Sequence, residues 1–287
     1  MIDVYWWSRV RENNEDFENF GDVLVPYILD RSTNTKYNWI IPNNNRVLRI
    51  FKKKRHYFII GSILRKVTEH SIVWGAGIMF HNSIIRKATF LAVRGPKTRN
   101  RLIELGYQVP ERYGDPGILI TLFNSPKGDR NYKLGIIPHF LDYQEVLEMY
   151  SDNKSIKVIN LLSNYPQAVI DEINDCEKVV ASSLHGVIIA HALKIPSLWI
   201  KISEKLLDDI KFYDYYESMN MSYTLNIPFK NYSLNEFDKI FEENSTLVLP
   251  SNKNFNDRIT DLIETFPFKK SSNFKRAVKE YFNNNNI

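Results

Sequence analysis

A single cysteine, Cys176, stands in the 287-residue chain. Neither an intrachain disulfide nor a cysteine-built zinc or iron–sulfur site can therefore form. No run approaches the roughly 18–20 apolar residues that a membrane span requires; the longest, Ile72–Phe80 and Val187–Leu193, fall far short. The opening residues Met1-Ile2-Asp3-Val4-Tyr5-Trp6-Trp7 include no basic stretch and no apolar segment of signal-peptide length. The expected location is a reducing cytoplasm, with peripheral attachment at the inner face of the cell membrane left open. A Walker loop, a Gly-x-Ser-x-Gly elbow and a metal-spaced histidine pair are all missing. His185 and His191 are six apart and fall on opposite faces of a helix. Gly75-Ala76-Gly77 does not extend to the dinucleotide fingerprint, because Phe80 stands where the third glycine would be.

What is present is globular: 44% apolar, 13% aromatic and 25% charged residues. The 38 basic residues exceed the 33 acidic ones, giving a net charge of +5. That balance suits an anionic ligand or surface without demanding nucleic acid. The length corresponds to about two domains at roughly 150 residues each.

Short β-rich runs alternate with stretches at helical spacing. Strands are expected at Asp3–Trp7, Tyr57–Ile60, Ser71–Trp74 and Thr89–Val93, with helical patterns at Val23–Leu29 and Lys97–Gly106. A second series follows the polar stretch Asn124–Asn131. Its strands are Lys133–Ile137, Ser155–Asn160, Lys178–Ala181 and Ser197–Ile200; its helices are Tyr143–Tyr150, Pro166–Asp175 and Leu184–Leu193. Strands separated by helices build parallel sheets. The expected fold class is α/β, with two Rossmann-like domains facing across a cleft. Residues 1–127 form the first domain, 128–265 the second, and 266–287 a basic aromatic tail. Leu234–Phe241 and Asn256–Phe266 are further helix candidates, and Asn273–Phe282 mixes Lys275, Arg276 and Lys279 with Phe274, Val278, Tyr281 and Phe282. In open α/β sheets the ligand sits beyond the carboxyl ends of the strands, so the strand-end loops carry the candidate chemistry.

The most informative of these is Ala181-Ser182-Ser183-Leu184-His185-Gly186, where an apolar strand passes through two serines into an apolar helix. Ser182 or Ser183 can cap that helix, and Gly186 permits close backbone approach. The first N–H groups, which lack intrahelical partners, can hold a phosphate or carboxylate. His185 in the first turn can donate a hydrogen bond or move a proton near neutral pH. A capped junction with a packed histidine is the plainer alternative. Lys201, Lys205 and Lys211 follow the next strand, and spacing does not rank them as anion ligands. Lys211-Phe212-Tyr213-Asp214-Tyr215-Tyr216 is either a rigid aromatic wall or the start of a packed helix. Arg94 follows Thr89–Val93, where its guanidinium can grip a carboxylate or phosphate. Asp22 reads either as a helix cap or as an acceptor-site carboxylate. Gly75 and Gly77 look like backbone room for a ligand.

In their order along the chain, these pieces resemble the polysaccharide pyruvyl transferase family. The resemblance runs from Phe20-Gly21-Asp22 to about Tyr216 and is most specific at Ser182-Ser183-Leu184-His185-Gly186, followed by Ala190-His191-Ala192-Leu193 and Ile195-Pro196. Trp74-Gly75-Ala76-Gly77, Val93-Arg94-Gly95-Pro96, Gly114-Asp115-Pro116-Gly117 and Lys211-Phe212 with Asp214-Tyr215-Tyr216 support it. The resemblance implies a GT-B-like fold. It also implies transfer of a pyruvyl group from phosphoenolpyruvate to a sugar of a cell-surface polysaccharide, such as a capsule or exopolysaccharide, or of its polyprenyl-diphosphate-linked precursor. The product is a pyruvate ketal and phosphate is released. By motif, the family's functional arginine falls on Arg94 and its histidine on His185, while its lysine is Lys201, Lys205 or Lys211. No cofactor and no metal is implied; phosphoenolpyruvate is the donor substrate. Ser182, Ser183, Leu184 and Gly186 would hold the donor. Asp22, Gly75 and Gly77 would face the acceptor.

The basic aromatic stretches Lys52-Lys53-Lys54-Arg55-His56-Tyr57 and Lys269–Phe282 suit an anionic lipid surface as well as they suit plain solvation. Two other functions fit the composition less closely. One is a GT-B glycosyltransferase using a nucleotide sugar, for which no acidic ribose ligand is clearly placed. The other is a nucleic-acid or polysaccharide binding module, which the dispersed basic residues and the lack of a nucleic-acid motif disfavour. The expected partners are thus phosphoenolpyruvate and a sugar acceptor, with no nucleic acid.

Overall fold

The computed structural model describes residues 1–42, 54–203, 209–223, 227 and 229–285. The first half contains β1 (Ile2–Tyr5), α1 (Arg9–Asn13), α2 (Phe20–Ser32), β2 (Tyr37–Trp39), β3 (His56–Phe58), β4 (Ser71–Trp74), β5 (Thr89–Ala92) and α3 (Pro96–Glu104). The 3-10 segment Pro116–Leu122 leads to the second half: β6 (Leu134–Ile137), α4 (Tyr143–Tyr150), β7 (Ile156–Val158), α5 (Pro166–Asn174), β8 (Val179–Ala181), α6 (Leu184–Ala192), β9 (Ser197–Trp199) and α7 (Ile210–Ser218). Three helices close the chain: α8 (Leu234–Glu243), α9 (Asn252–Glu264) and α10 (Ser272–Asn284).

Both sheets are parallel throughout. The first has the order β2-β1-β3-β4-β5 and the second β7-β6-β8-β9. Every residue of the central strands β4, β6 and β8 is buried, as expected for parallel strands covered on both faces. These runs are apolar with little alternation, which is why they are legible in sequence as strands. Edge strand β2 (Tyr37-Asn38-Trp39) is only partly buried and carries no such signal.

The two halves share one hydrophobic core. Leu24 and Ile28 of α2, Ile118 and Ile120 of the 3-10 segment, and Val187 and Ile188 of α6 belong to one buried cluster. In α6 every residue from Leu184 to Ala192 except His185 is buried, and a helix apolar all round belongs inside. Pro26 lies within α2 and has no N–H to offer the carbonyl of Asp22 four residues before it.

Of the C-terminal helices, α8 packs on the second half, with Phe237 and Phe241 clustered with Leu134, Ile136 and Val146, while α9 and α10 reach back onto the first. The indole N–H of Trp74 donates to the carbonyl of Leu262 and to Thr265 Oγ1, both at 3.2 Å. Arg112 pairs with Asp261 of α9 at 2.8 Å. The Ser271 N–H donates to Ser32 O at 2.9 Å, and Phe274 of α10 is fully buried. Helix α9 also touches the second half, where Arg258 Nη1 donates to Ser218 O at 3.1 Å. In the tail, whose basic and aromatic residues suited a lipid surface as well as plain solvation, Phe274 and Tyr281 are buried, and Phe282 packs on the core together with Val278. In the other basic stretch, Lys52 and Lys53 lie outside the described residues, Lys54 pairs with Asp3 at 2.8 Å, and His56 is buried in β3. Among the described residues no helix is long and apolar enough to cross a membrane.

Candidate active site

The strand orders locate two crevices. In the first sheet the winding reverses between β1 and β3, and in the second between β6 and β8. Ligands of open α/β sheets bind outside the strand carboxyl ends at such reversals. The loop after β1 leads into α1 and then to Gly21-Asp22 at the head of α2. The loop after β3 holds Gly61 and Ser62. The second crevice is closed by Ser182, whose Oγ accepts the His139 N–H at 2.8 Å, joining the ends of β6 and β8. Main-chain bonds link the two halves beside these points. Phe20 N–H donates to Leu161 O (2.8 Å) and Ser163 N–H to Glu18 O (2.9 Å).

His185 projects from the first turn of α6, with its side chain 13% exposed. It crosses from the second half onto α2. A Cβ on Gly21 would stand 2.0 Å from His185 Nδ1, so only glycine permits this approach. On the other side His185 Nε2 faces Asp115 Oδ2 at 3.7 Å, and both atoms are buried without a hydrogen bond. Ser183 takes the N-cap position without a side-chain cap bond. Gly186 lets α6 sit on the second sheet: a Cβ there would lie 2.9 Å from Ile137 Cγ2 and 3.1 Å from Ala181 Cβ.

Asp22 is buried and accepts a hydrogen bond from Asn19 Nδ2 at 2.6 Å. Burial pushes its carboxyl up to about 7, against the lowering influence of Asn19 and His185; Glu18 and Glu12 add to the rise. The raised value has a stability consequence. Below about pH 4 the carboxyl is protonated in folded and unfolded chains alike. Between pH 4 and 7 the unfolded chain gives up its proton first, so folded stability falls, by at most about 4 kcal/mol. Asp22→Asn removes that loss. The variant is expected to be more stable than wild type at pH 8 and no more stable at pH 4, as read by urea unfolding at each pH.

The structure separates the three candidate lysines. Lys201 pairs with Asp209 at 3.5 Å, and Lys205 lies outside the described residues. Lys211, in the first turn of α7, has no hydrogen-bond or ion-pair partner among the described residues; its ammonium lies 5.5 Å from the ring centre of Phe212. Burial lowers it to about 8, helped by the nearby Arg94 charge and opposed by Asp209 and Asp22. A desolvated cation without a fixed counterion is suited to an incoming anion.

Arg94 is fully buried. Its Nε–H donates to Asp214 Oδ2 (2.9 Å), Nη1 to Ser62 Oγ (2.7 Å) and Nη2 to Ile78 O (2.8 Å). Asp214 also accepts from the Thr98 N–H (2.9 Å) and hydroxyl (2.6 Å). Arg94 therefore ties the end of β5 to α7, three residues beyond Lys211. The space beside the glycines expected to admit a ligand is filled by the protein itself. A Cβ on Gly77 would lie 2.4 Å from Arg94 Cζ. Gly75 has φ +96°, and a Cβ there would lie 2.2 Å from the Pro116 ring.

The structure thus brings Asp22, His185, Lys211 and Arg94 within electrostatic reach of one another. Charge interactions couple Asp22 to His185 and Lys211, and Lys211 to Arg94. Sequence reasoning passed over Asp115, Asp214, Asn19 and Ser62. Asp115 and Asp214 stood within motifs quoted for the resemblance, which was the only available signal.

A model of the polysaccharide pyruvyl transferase family matches residues 17–204. The chain belongs to that family. The match contains Asp22, Arg94, Asp115 and His185 and stops just short of Lys211. An uncharacterized protein of Acanthamoeba polyphaga mimivirus is 33% identical over 169 residues, covering 56% of this chain and 58% of that protein. The matched stretch thus spans little more than half of the viral relative. The family's description points to pyruvyl transfer in polysaccharide biosynthesis.

Proposed function

We propose that this protein transfers the pyruvyl group of phosphoenolpyruvate to two hydroxyls of a sugar, forming a cyclic pyruvate ketal and releasing phosphate. The sugar belongs to a cell-surface polysaccharide or its polyprenyl-diphosphate-linked precursor, met at the cytoplasmic face of the membrane. In this reading the halves work as a GT-B-like pair, with the acceptor on the side of Asp22 and the donor on the side of α6. The observation that carries the reading is the convergence of Lys211, the opening turn of α6 with His185, and the buried Asp22 in a chain of this family.

The donor carries a phosphate and a carboxylate. The free N–H groups at Leu184–Gly186 and the Lys211 ammonium would bind the phosphate. Ketal formation adds a proton to the donor's methylene carbon, joins two sugar oxygens to its C2 and breaks the C2–O bond to phosphate. One hydroxyl proton replaces the proton spent on the methylene, and the other leaves with phosphate. His185 would bind the donor phosphate and supply the methylene proton; Asp22, ionised, would take a hydroxyl proton. Arg94 acts electrostatically and by positioning Lys211, since a guanidinium keeps its proton and does not serve as an acid.

Incubation with phosphoenolpyruvate and a panel of lipid-linked or nitrophenyl glycosides tests the reading. The expected result is a pyruvyl mass gain on one glycoside with equimolar phosphate. Turnover of a nucleotide sugar with release of nucleotide, and none of phosphoenolpyruvate, would replace it with glycosyl transfer. If Asp22 acts ionised and Lys211 protonated, kcat/KM follows a narrow bell, rising through about pH 7 and falling through about pH 8. A profile flat from pH 6 to 9 would remove both assignments.

A further inference from the structure

We infer that Asp115 is the positioning residue of His185: its carboxylate accepts the Nε2 proton and fixes the ring with Nδ1 turned toward Gly21 and Asp22. The role of that ring in pyruvyl transfer rests on the proposed function; the pairing itself does not.

Two facing atoms carry the inference. Asp115 Oδ2 and His185 Nε2 are each buried without a hydrogen-bond partner, and they stand 3.7 Å apart. An unsatisfied buried acceptor beside an unsatisfied buried ring nitrogen costs the desolvation of both. A shift of less than about 1 Å brings them to hydrogen-bond distance. Asp115 is the fixed member. It is fully buried, and its Oδ1 accepts the Gly117 N–H at 2.9 Å, capping the 3-10 segment. The adjoining Pro116 ring is seated against Gly75, and the segment packs between α2 and α6. The ring of His185 lies against Gly21 with Nδ1 nearest to it.

The consequence is a defined tautomer. With the proton on Nε2 given to Asp115, the neutral ring presents a lone pair at Nδ1, and the charged ring presents its mobile proton there. Nδ1 is the nitrogen on the Asp22 side, where donor and acceptor would meet. Asp115 touches neither of them and acts through His185.

Asp115→Asn isolates this role. The Gly117 N–H still requires an oxygen acceptor, which pins the side-chain carbonyl there and turns the amide NH2 toward Nε2. A donor facing Nε2 demands a lone pair, so the proton moves to Nδ1. The full-length protein labelled with 15N-histidine provides the readout, with the His185 signals identified by their loss in His185→Gln. The expected spectrum shows Nε2–H in the wild type and Nδ1–H in Asp115→Asn. With phosphoenolpyruvate and the glycoside selected from the panel, kcat of the variant should fall about 10²-fold, with KM within threefold. An Nδ1–H tautomer in the wild type, or the same tautomer in both proteins, overturns the inference. Should Asp115→Asn fail to fold, the wild-type spectrum alone decides. An Nε2–H wild type that turns over no phosphoenolpyruvate would leave the pairing standing and remove only the reaction.

Discussion

Arg94→Met is expected to cost about 3–5 kcal/mol of folding stability, the range for breaking a buried ion pair from one side. The reason is what remains behind. Asp214 is fully buried, and its charge is met by Arg94 at 2.9 Å and by the main chain and hydroxyl of Thr98. Removing the guanidinium leaves a carboxylate desolvated without its counterion. It also strands Ser62 Oγ and the carbonyl of Ile78, the two other groups that the guanidinium binds. Methionine fills much of the volume, so the loss is electrostatic more than steric. Urea unfolding of the two proteins at pH 7 measures it, and a difference below 1 kcal/mol would show that the pair is not what holds α7 in place. The double variant Arg94→Met/Asp214→Leu should recover part of the loss, because an apolar pair no longer buries a charge. It should not recover transfer activity, since the cation that shapes the field around Lys211 is gone.

The same pair shows where sequence reading reaches its limit. Arg94 was legible as a guanidinium at a strand end, because Thr89–Val93 is β-rich and stops at Arg94-Gly95-Pro96. Its partner lies 120 residues away on a helix that the sequence left open as wall or helix. No local pattern announces such a contact. The glycines illustrate the reverse error. Gly75 and Gly77 were read as backbone room for a ligand, but the groups that lie against them are Pro116 and Arg94. A residue that admits a neighbour does not say which neighbour. Elements with continuous apolar runs, such as β4, β6 and α6, were found near their actual limits. The short α1, the edge strand β2 and the 3-10 segment Pro116–Leu122 were not, because each is set by tertiary packing rather than by its own periodicity. That 3-10 segment is the strut packed between α2 and α6, and it brings Asp115 to His185.

His185→Gln should lower kcat about 10³-fold while changing KM for phosphoenolpyruvate by no more than a few-fold. The split follows from the way the site is divided. Donor binding rests mainly on the first N–H groups of α6 and on Lys211, with the imidazole one phosphate contact among several, and glutamine keeps a donor in its place. Glutamine fits the helix and keeps a polar group near Asp115, but it cannot gain and lose a proton near neutral pH, and positioned proton transfer is worth roughly 10²–10⁴ in rate. Gly21 adds a structural check. A Cβ there would fall within 3 Å of three His185 ring atoms, so Gly21→Ala must displace the ring even with every polar group intact. If ring position and proton transfer are both required, Gly21→Ala and His185→Gln should slow the same step, and combining them should cost little more than either alone. Losses that multiplied in the double variant would mean that His185 and its seat act independently, and the proton would have to come from elsewhere in the site.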